Sequence, residues 1–238
     1  MENLQIKPGA VFISDAHDNA NKRNFLKFLR NLRSAKTLPP QIFMLGDMFD
    51  FLANTTFVRE FYAEYIEAIN EISQKCEIYY FEGNHDFNLE AIFPHARVFA
   101  NCAQPANFSF KGEKIQISHG DIFLPALTKF ALLSLRNRAF LKFMDKIDCA
   151  LNFKISKMIL KSQENKILYK KAGNFKSYIE PKIHNYTALI VIEGHYHQDE
   201  ILEFEGVKYI NLNSFAVCEK IYEVQNSQNF ELFSKNLN

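Results

Sequence analysis

The sequence predicts an α/β fold built on a mainly parallel sheet, and three observations carry that prediction. Short apolar runs alternate with amphipathic helical stretches through the first 120 residues, an order that requires crossover connections. Short polar clusters of Asp, Asn and His directly follow apolar runs. A long helical stretch then intervenes, and strand patterning resumes from Ala188 onward.

Taken in order, Ala10 to Ser14 (AVFIS) reads as a buried strand, and Asn21 to Arg33 places Phe25, Phe28, Leu29 and Leu32 at helical spacing. Pro39-Pro40 breaks the chain before a second strand, Gln41 to Leu45. Val58 to Ser73 is patterned as one helix, and Glu77 to Phe81 as a third strand. After Pro94 the pattern changes: Ala106 to Phe110 and Lys114 to Ser118 flank Lys111-Gly112, a hairpin-like turn. The stretch from Ile122 to Lys182 reads as helical, and strands are expected at Ala188 to Ile192, Ile201 to Phe204, Val207 to Leu212 and Lys220 to Val224.

At 238 residues the chain suits one domain, 1–238, carrying a large insertion at 122–182. Its 47% hydrophobic content, with 24 Phe, excludes a disordered chain. The net charge of +1 conceals a split: residues 122–182 hold 13 Lys/Arg against 4 Asp/Glu, a balance of +9 that the rest of the chain offsets. Such a segment faces something negatively charged. The four cysteines are far apart with apolar neighbours, so buried thiols in a reducing compartment are expected rather than disulfides. No basic start precedes an apolar run, and no stretch reaches the roughly 18–20 apolar residues of a spanning helix. A cytoplasmic protein is expected, with the basic apolar segment as its candidate contact to a membrane surface.

Five of the seven histidines sit in the polar clusters: Asp15-Ala-His17, Gly46-Asp47-Met-Phe-Asp50, Gly83-Asn84-His85-Asp86, His119-Gly-Asp121 and Gly194-His195-Tyr-His197. In open α/β sheets ligands bind beyond the carboxyl ends of strands, so these five loops are expected to converge. Imidazole, carboxylate and carboxamide donors without thiolate favour Mn²⁺, Fe or Zn²⁺. The i, i+2 spacing of Asp15/His17 and of His195/His197 aims two donors from one extended segment at the same face. Seven donors (Asp15, His17, Asp47, Asn84, His119, His195 and His197) exceed what one ion takes while leaving positions open. Two divalent ions sharing a carboxylate use them all, and such a pair, roughly 3.5–4 Å apart, suits in-line displacement at phosphorus. His95 and His184 lie outside the clusters and read as surface or loop residues.

The series D-x-H, G-D-x-x-D, G-N-H-D, H-G-D and G-H-x-H, in this order from Asp15 to His197, resembles the calcineurin-like metallophosphoesterase superfamily. The resemblance implies a four-layer αββα sandwich, in agreement with the strand order. It also implies that Asp15, His17 and His197 hold one metal, that Asn84, His119 and His195 complete the second, and that Asp47 bridges. His85 would stabilise the phosphoryl oxygens and help protonate the leaving group. Asp50, Asp86 and Asp121 would orient the ligands.

Within that superfamily the layout is similar to the UDP-2,3-diacylglucosamine pyrophosphohydrolases of lipid A biosynthesis, which carry a helical insertion between the H-G-D and G-H-x-H motifs that encloses acyl chains. The resemblance implies a nucleotide-linked lipid substrate, release of UMP and 2,3-diacylglucosamine 1-phosphate, Mn²⁺ as cofactor, and peripheral contact with the cytoplasmic face of the inner membrane. By the same resemblance Lys161, Lys166, Lys170 and Lys171 are candidates to contact the glucosamine or diphosphate. Lys129, Arg136, Arg138, Lys142 and Lys146 are candidates for phosphate or an anionic surface, and Phe123, Leu127, Phe130, Leu133, Phe140 and Phe143 for acyl chains or interfacial lipid. That subfamily commonly has Arg where this chain has His85, and Thr where it has Tyr196. Apolar residues at helical spacing equally suit plain core packing. A soluble nucleotide, cyclic nucleotide or phosphoprotein substrate is the alternative. A nucleic-acid partner is not expected, because the basic residues share one apolar segment instead of lining a polar groove.

Overall fold

In the computed structural model, residues 4–123, 132–164 and 168–237 are described. Three central strands, β2 (Val11–Ile13), β3 (Gln41–Met44) and β4 (Glu77–Phe81), are almost wholly buried, as unbroken apolar runs require when both faces are covered. They pair in parallel, with Phe12 opposite Phe43 and Phe43 opposite Tyr79. Those rings stack at 4.3 and 4.9 Å between centroids. β5 (Arg97–Phe99) extends this sheet on one side, and β11 (Lys220–Val224) with β12 (Leu232–Asn236) on the other, in the order β12-β11-β2-β3-β4-β5.

A second six-stranded sheet has the order β1-β6-β7-β8-β10-β9. Its strands are β1 (Leu4–Gln5), β6 (Ala106–Phe110), β7 (Glu113–Ser118), β8 (Ile190–Glu193), β9 (Glu200–Phe204) and β10 (Val207–Asn211). Phe12, Phe43, Phe81, Phe108, Ile117 and Ile192 fill the space between the two sheets.

Helices cover the outer faces. α1 (Asn24–Ser34), α2 (Thr56–Phe61) and α3 (Ala63–Ser73) bury Phe25, Leu29, Val58, Ile69 and Ile72 on the first sheet. After α4 (Arg138–Ala150) and α5 (Lys154–Gln163), α6 (Phe175–Ile183) packs Phe175, Ile179 and Ile183 on Val191 and Tyr209 of the second sheet. A one-turn helix, α7 (Phe215–Cys218), precedes β11. The result is helices, sheet, sheet, helices: the expected four-layer αββα sandwich.

Three details differ from the sequence expectation. The helix expected over 58–73 is two helices, broken at Tyr62, whose buried hydroxyl donates to Asp18 O at 3.0 Å while its ring meets Phe49 edge-on. The second of the two is the one whose apolar face was legible, because α2 has a single buried residue, Val58. Only Cys76 of the four cysteines is buried; Cys102 and Cys149 are exposed, and all four are free. Of the basic stretch 122–182, α6 is core packing, whereas α4 and α5 leave Phe143 and Met158 61% and 66% exposed.

Candidate metal centre

The five clusters occupy the loops that leave β2, β3, β4, β7 and β8. Because β2, β3 and β4 run parallel to one another, and β7 parallel to β8, these loops emerge on common edges of the two facing sheets. Backbone bonds tie the loops together: Asp15 N–H donates to Gly46 O, His17 N–H to Asp47 O, and Gly194 N–H to His119 O. Asp15, His17, Asp47, His195 and His197 all have φ between +45° and +62°, a region non-glycine residues seldom enter. Strain of this kind persists where neighbouring structure over-determines it, as those bonds do. A side chain at Gly83 would sit 2.7 Å from Asp47 N, and one at Gly194 would lie 2.5 Å from Asp15 Oδ2, so the loops approach as closely as glycine permits.

Two groups of donors result. In the first, Asp15, His17 and His197 present atoms within 4.8 Å of one another, with His197 Nε2 3.0 Å and His17 Nε2 3.9 Å from Asp15 Oδ1. In the second, formed by Asp47, His119 and His195, His119 Nε2 stands 3.5 Å from Asp47 Oδ2 and 3.2 Å from His195 Nδ1. Asn84 Oδ1 joins this group at 3.4 Å from His119 Nε2. Asp47 Oδ2 is also 4.0 Å from His17 Nε2, which sets this carboxylate between the groups.

The chemistry of the donors identifies what fits between them. His119 Nδ1 lies 2.7 Å from Leu45 O, and His197 Nδ1 lies 2.8 Å from Leu168 O. A carbonyl only accepts, so each Nδ1 carries a proton, which leaves the Nε2 that faces a carboxylate as the atom each ring can offer to a metal once its own proton is displaced. Asp15 Oδ1 and His17 Nε2 are buried without a hydrogen bond. Buried lone pairs that converge at these distances repel one another unless a cation lies among them. The donor set therefore fits a pair of divalent ions.

Titration shifts follow the same logic. Burial pushes the Asp47 carboxyl up, but the neighbouring His119, through its charge and its hydrogen bond, outweighs it and holds the group well below its usual range. Burial likewise opposes the low value of Asp15, about 2, which His197 secures. His119 is driven down by burial and raised more strongly by Asp47. Burial lowers His17, and burial together with His119 takes His195 to about 4, so both rings stay neutral and able to ligate.

The neighbouring carboxylates divide in their contacts. Asp50 Oδ1 faces His17 Nδ1 at 3.3 Å, and its backbone carbonyl receives His85 Nδ1 at 2.7 Å. Asp86 accepts from the N–H groups of Asp47, Met48 and Gly83 and from Tyr80 Oη. Asp121 instead accepts from Asn101 Nδ2 and pairs with Arg136 at 3.0 Å. Arg136 is thus no membrane or phosphate cation: its guanidinium is buried on Asp121 and donates to Gly83 O at 2.7 Å. His85 is half-buried, its N–H donates to Asp47 Oδ1 at 2.8 Å, and its ring lies 5.3 Å from that of His17.

A cleft of about 210 Å³ opens on both groups, and Lys170 lines it. Lys171 turns away and donates to the backbone carbonyls of His197 and Gln198. Lys161 is exposed on α5, and Lys166, Leu127, Lys129 and Phe130 lie outside the described residues. Sequence reasoning missed Tyr80 and Gln104; the latter accepts His119 N–H at 2.7 Å while bonding Glu82 O and Phe99 O. Neither sits in a motif that would signal it. Tyr196, between two candidate ligands, does more than fill space: its hydroxyl donates to Gly120 O and accepts from Lys182 Nζ.

Comparison with known proteins bears on this site. The UDP-2,3-diacylglucosamine hydrolase of Shewanella baltica (strain OS185) is 28% identical over 112 residues, 47% of this chain and 47% of the relative. The enzyme of the same name from Aeromonas hydrophila subsp. hydrophila is 28% identical over 114 residues, with the same coverage. The match thus spans about half the length of these curated relatives. Among solved structures, an archaeal phosphodiesterase aligns over 95% of this chain and 99% of its own at 13% identity, with a TM-score of 0.46. The family model for calcineurin-like phosphoesterases matches residues 10–210, which include all seven donors. The chain belongs to the calcineurin-like phosphoesterase family.

Proposed function

We propose that this chain is a two-metal phosphoester hydrolase whose substrate is a nucleotide-linked diacyl lipid of the UDP-2,3-diacylglucosamine type, cleaved at the diphosphate to release UMP. The observation that carries the lipid reading is an apolar cavity of about 380 Å³ lined by Phe51, Phe87, Leu135, Phe140, Met144 and Ile159, which shares Asn84 with the metal cleft. A hydrocarbon chain in that cavity leaves its polar end at the donor groups. The names of the curated relatives support the same substrate.

In this reading Asp15, His17 and His197 would hold one ion and Asn84, His119 and His195 the other, with the Asp47 carboxylate set between the two groups to serve both. When bound, the two ions stabilise charge on the phosphoryl oxygens and activate water as nucleophile. His85, held by Asp50 O and Asp47 Oδ1, presents its ring to the phosphoryl oxygens and the departing group. Lys170 meets the diphosphate from the cleft wall. Residues 122–182 act as an insertion in a single domain. No helix among the described residues is long and apolar enough to cross a membrane. Phe143, Met158 and Leu151, exposed beside Lys142, Lys146 and Lys157, instead rest on the cytoplasmic surface of an anionic bilayer.

The test is UMP release from UDP-2,3-diacylglucosamine with Mn²⁺ and mild detergent, beside a UDP-sugar without acyl chains and bis-p-nitrophenyl phosphate. Rapid cleavage of the acylated substrate alone supports the reading. Turnover of the small esters alone keeps the two-metal hydrolase and removes the lipid.

A further inference from the structure

Residues 168–172 run without regular secondary structure beside the loop that carries His195 and His197. This strap touches the metal centre twice: Leu168 O receives His197 Nδ1 at 2.8 Å, and Lys170 lines the cleft. Irregular chain of this kind holds a position only where other groups saturate its backbone.

Gln198 does so here. It is 4% exposed, and each polar atom of its carboxamide is engaged. Its Oε1 accepts Ala172 N–H at 2.8 Å, and its Nε2 donates to Lys170 O at 3.3 Å and to Tyr196 O. Its own N–H donates to Asn211 Oδ1 at 2.8 Å, and Asn211 Nδ2 donates to Gly194 O at 2.6 Å. Asn211 is the last residue of β10, so the whole assembly rests on the sheet. From the strap side Lys171 Nζ returns bonds to His197 O and Gln198 O.

We propose that Gln198 is a positioning residue: its carboxamide fastens strap 168–172 to the His195–His197 loop, and so fixes the tautomer of His197 and the place of Lys170 at the cleft wall. The proposal rests on reading Asp15, His17 and His197 as one of two metal-binding groups. Its consequence is asymmetric. Among the described residues the strap is hydrogen-bonded to His197 and to neither His119 nor His195, so loosening it weakens one ion and spares the other.

The experiment titrates metal-stripped protein with Mn²⁺ by calorimetry, for the native sequence, Gln198→Ala, Gln198→Glu and Lys171→Met. Tryptic cleavage after Lys170 and Lys171 is followed by mass spectrometry in the native and Gln198 variants. Loss of a partner that orients a metal-ligating histidine costs about 10–100-fold in affinity. Gln198→Ala is expected to weaken one ion by about tenfold, at the lower end of that range because the side chain acts through Leu168 O. The second ion is expected to keep its affinity, and cleavage at the strap to accelerate. Gln198→Glu, which keeps the acceptor for Ala172 and loses both donors, falls between. Lys171→Met alters an exposed side chain and tests the same strap if Gln198→Ala does not fold.

Two ions bound with native affinities in both Gln198→Ala and Lys171→Met, with strap cleavage in Gln198→Ala no faster than in the native chain, overturn the proposal, and so does an equal loss at both ions. A native chain that takes up fewer than two ions overturns the two-metal reading itself, and the proposal with it.

Discussion

Asp86 belongs to neither donor group, yet the loops that carry them are tied to it. Its carboxylate is fully buried and accepts Asp47 N–H at 3.0 Å, Met48 N–H and Gly83 N–H at 2.8 Å each, and Tyr80 Oη at 2.7 Å. Replacing it by alanine strands four buried donors. Each orphan costs about 1–3 kcal/mol; at about 1.5 kcal/mol for each of the four, about 6 kcal/mol is lost in all. Against this stands a relief: burial, with the Asp47 charge next, raises the Asp86 carboxyl from 3.8 to about 6. Holding it ionised at neutral pH therefore costs about 3 kcal/mol, which alanine no longer bears. The net destabilisation is about 3 kcal/mol. For a chain of this size that lowers the melting temperature by about 6–12 °C.

Asp86→Asn keeps one accepting oxygen without the ionisation cost and is expected to fall by about half as much. A group whose folded pKa is raised contributes stability that is present below about pH 4 and lost as pH rises through about 6. The gap between native and Asp86→Asn should therefore narrow from pH 5 to pH 7. The assay is thermal melting followed by circular dichroism on EDTA-treated protein, so that metal uptake does not shift the transition. An Asp86→Ala melting point within about 2 °C of native, or Asp86→Asn below Asp86→Ala, refutes the reasoning.

Three further outcomes are expected at the centre itself. Asp47→Ala removes the carboxylate set between both donor groups, so turnover should vanish and metal content fall; full activity would refute the bridging role. His85→Ala should cut turnover while metal stoichiometry stays near native, by elemental analysis of the purified protein; loss of metal would instead make His85 a ligand. In metal-free protein burial lowers both His119 and His197, but the carboxylates of Asp47 and Asp15 outweigh it, so both hold protons more tightly than a free imidazole. Those protons stabilise the metal-free fold at low pH and are lost as pH rises through the folded values. They also compete with metal, so Mn²⁺ affinity should weaken as pH falls, by up to about tenfold per pH unit for each proton displaced. A pH-independent affinity between pH 8 and pH 6 would contradict this.

What the sequence disclosed was local. The buried strands at 41–44, 77–81 and 220–224 are legible because apolar runs and turn residues act over a few neighbours, and the loops after the first two carry donors whose chemistry is intrinsic to the residue type. β1, β5 and β12 were not legible: they are two to five residues long, lie at sheet edges and are largely uncovered, so no burial pattern marks them. Tyr62 was read into a continuous helix because its pull on Asp18, 44 residues away, has no periodicity.

The sequence by itself therefore determined which residues carry the candidate metal donors and that strands and helices alternate along the first part of the chain. Only the tertiary structure decided which donors share a group. His195 N–H reaches Asp15 Oδ2 across 180 residues because two sheets pack face to face at this register. It also decided that Arg136 is spent on Asp121, that Lys171 serves the backbone while Lys170 faces the cleft, and that Gln198 holds the strap. Periodicity reports how deeply each segment is buried. It carries no information on which segments meet, and a metal centre depends on meetings accurate to a fraction of an ångström.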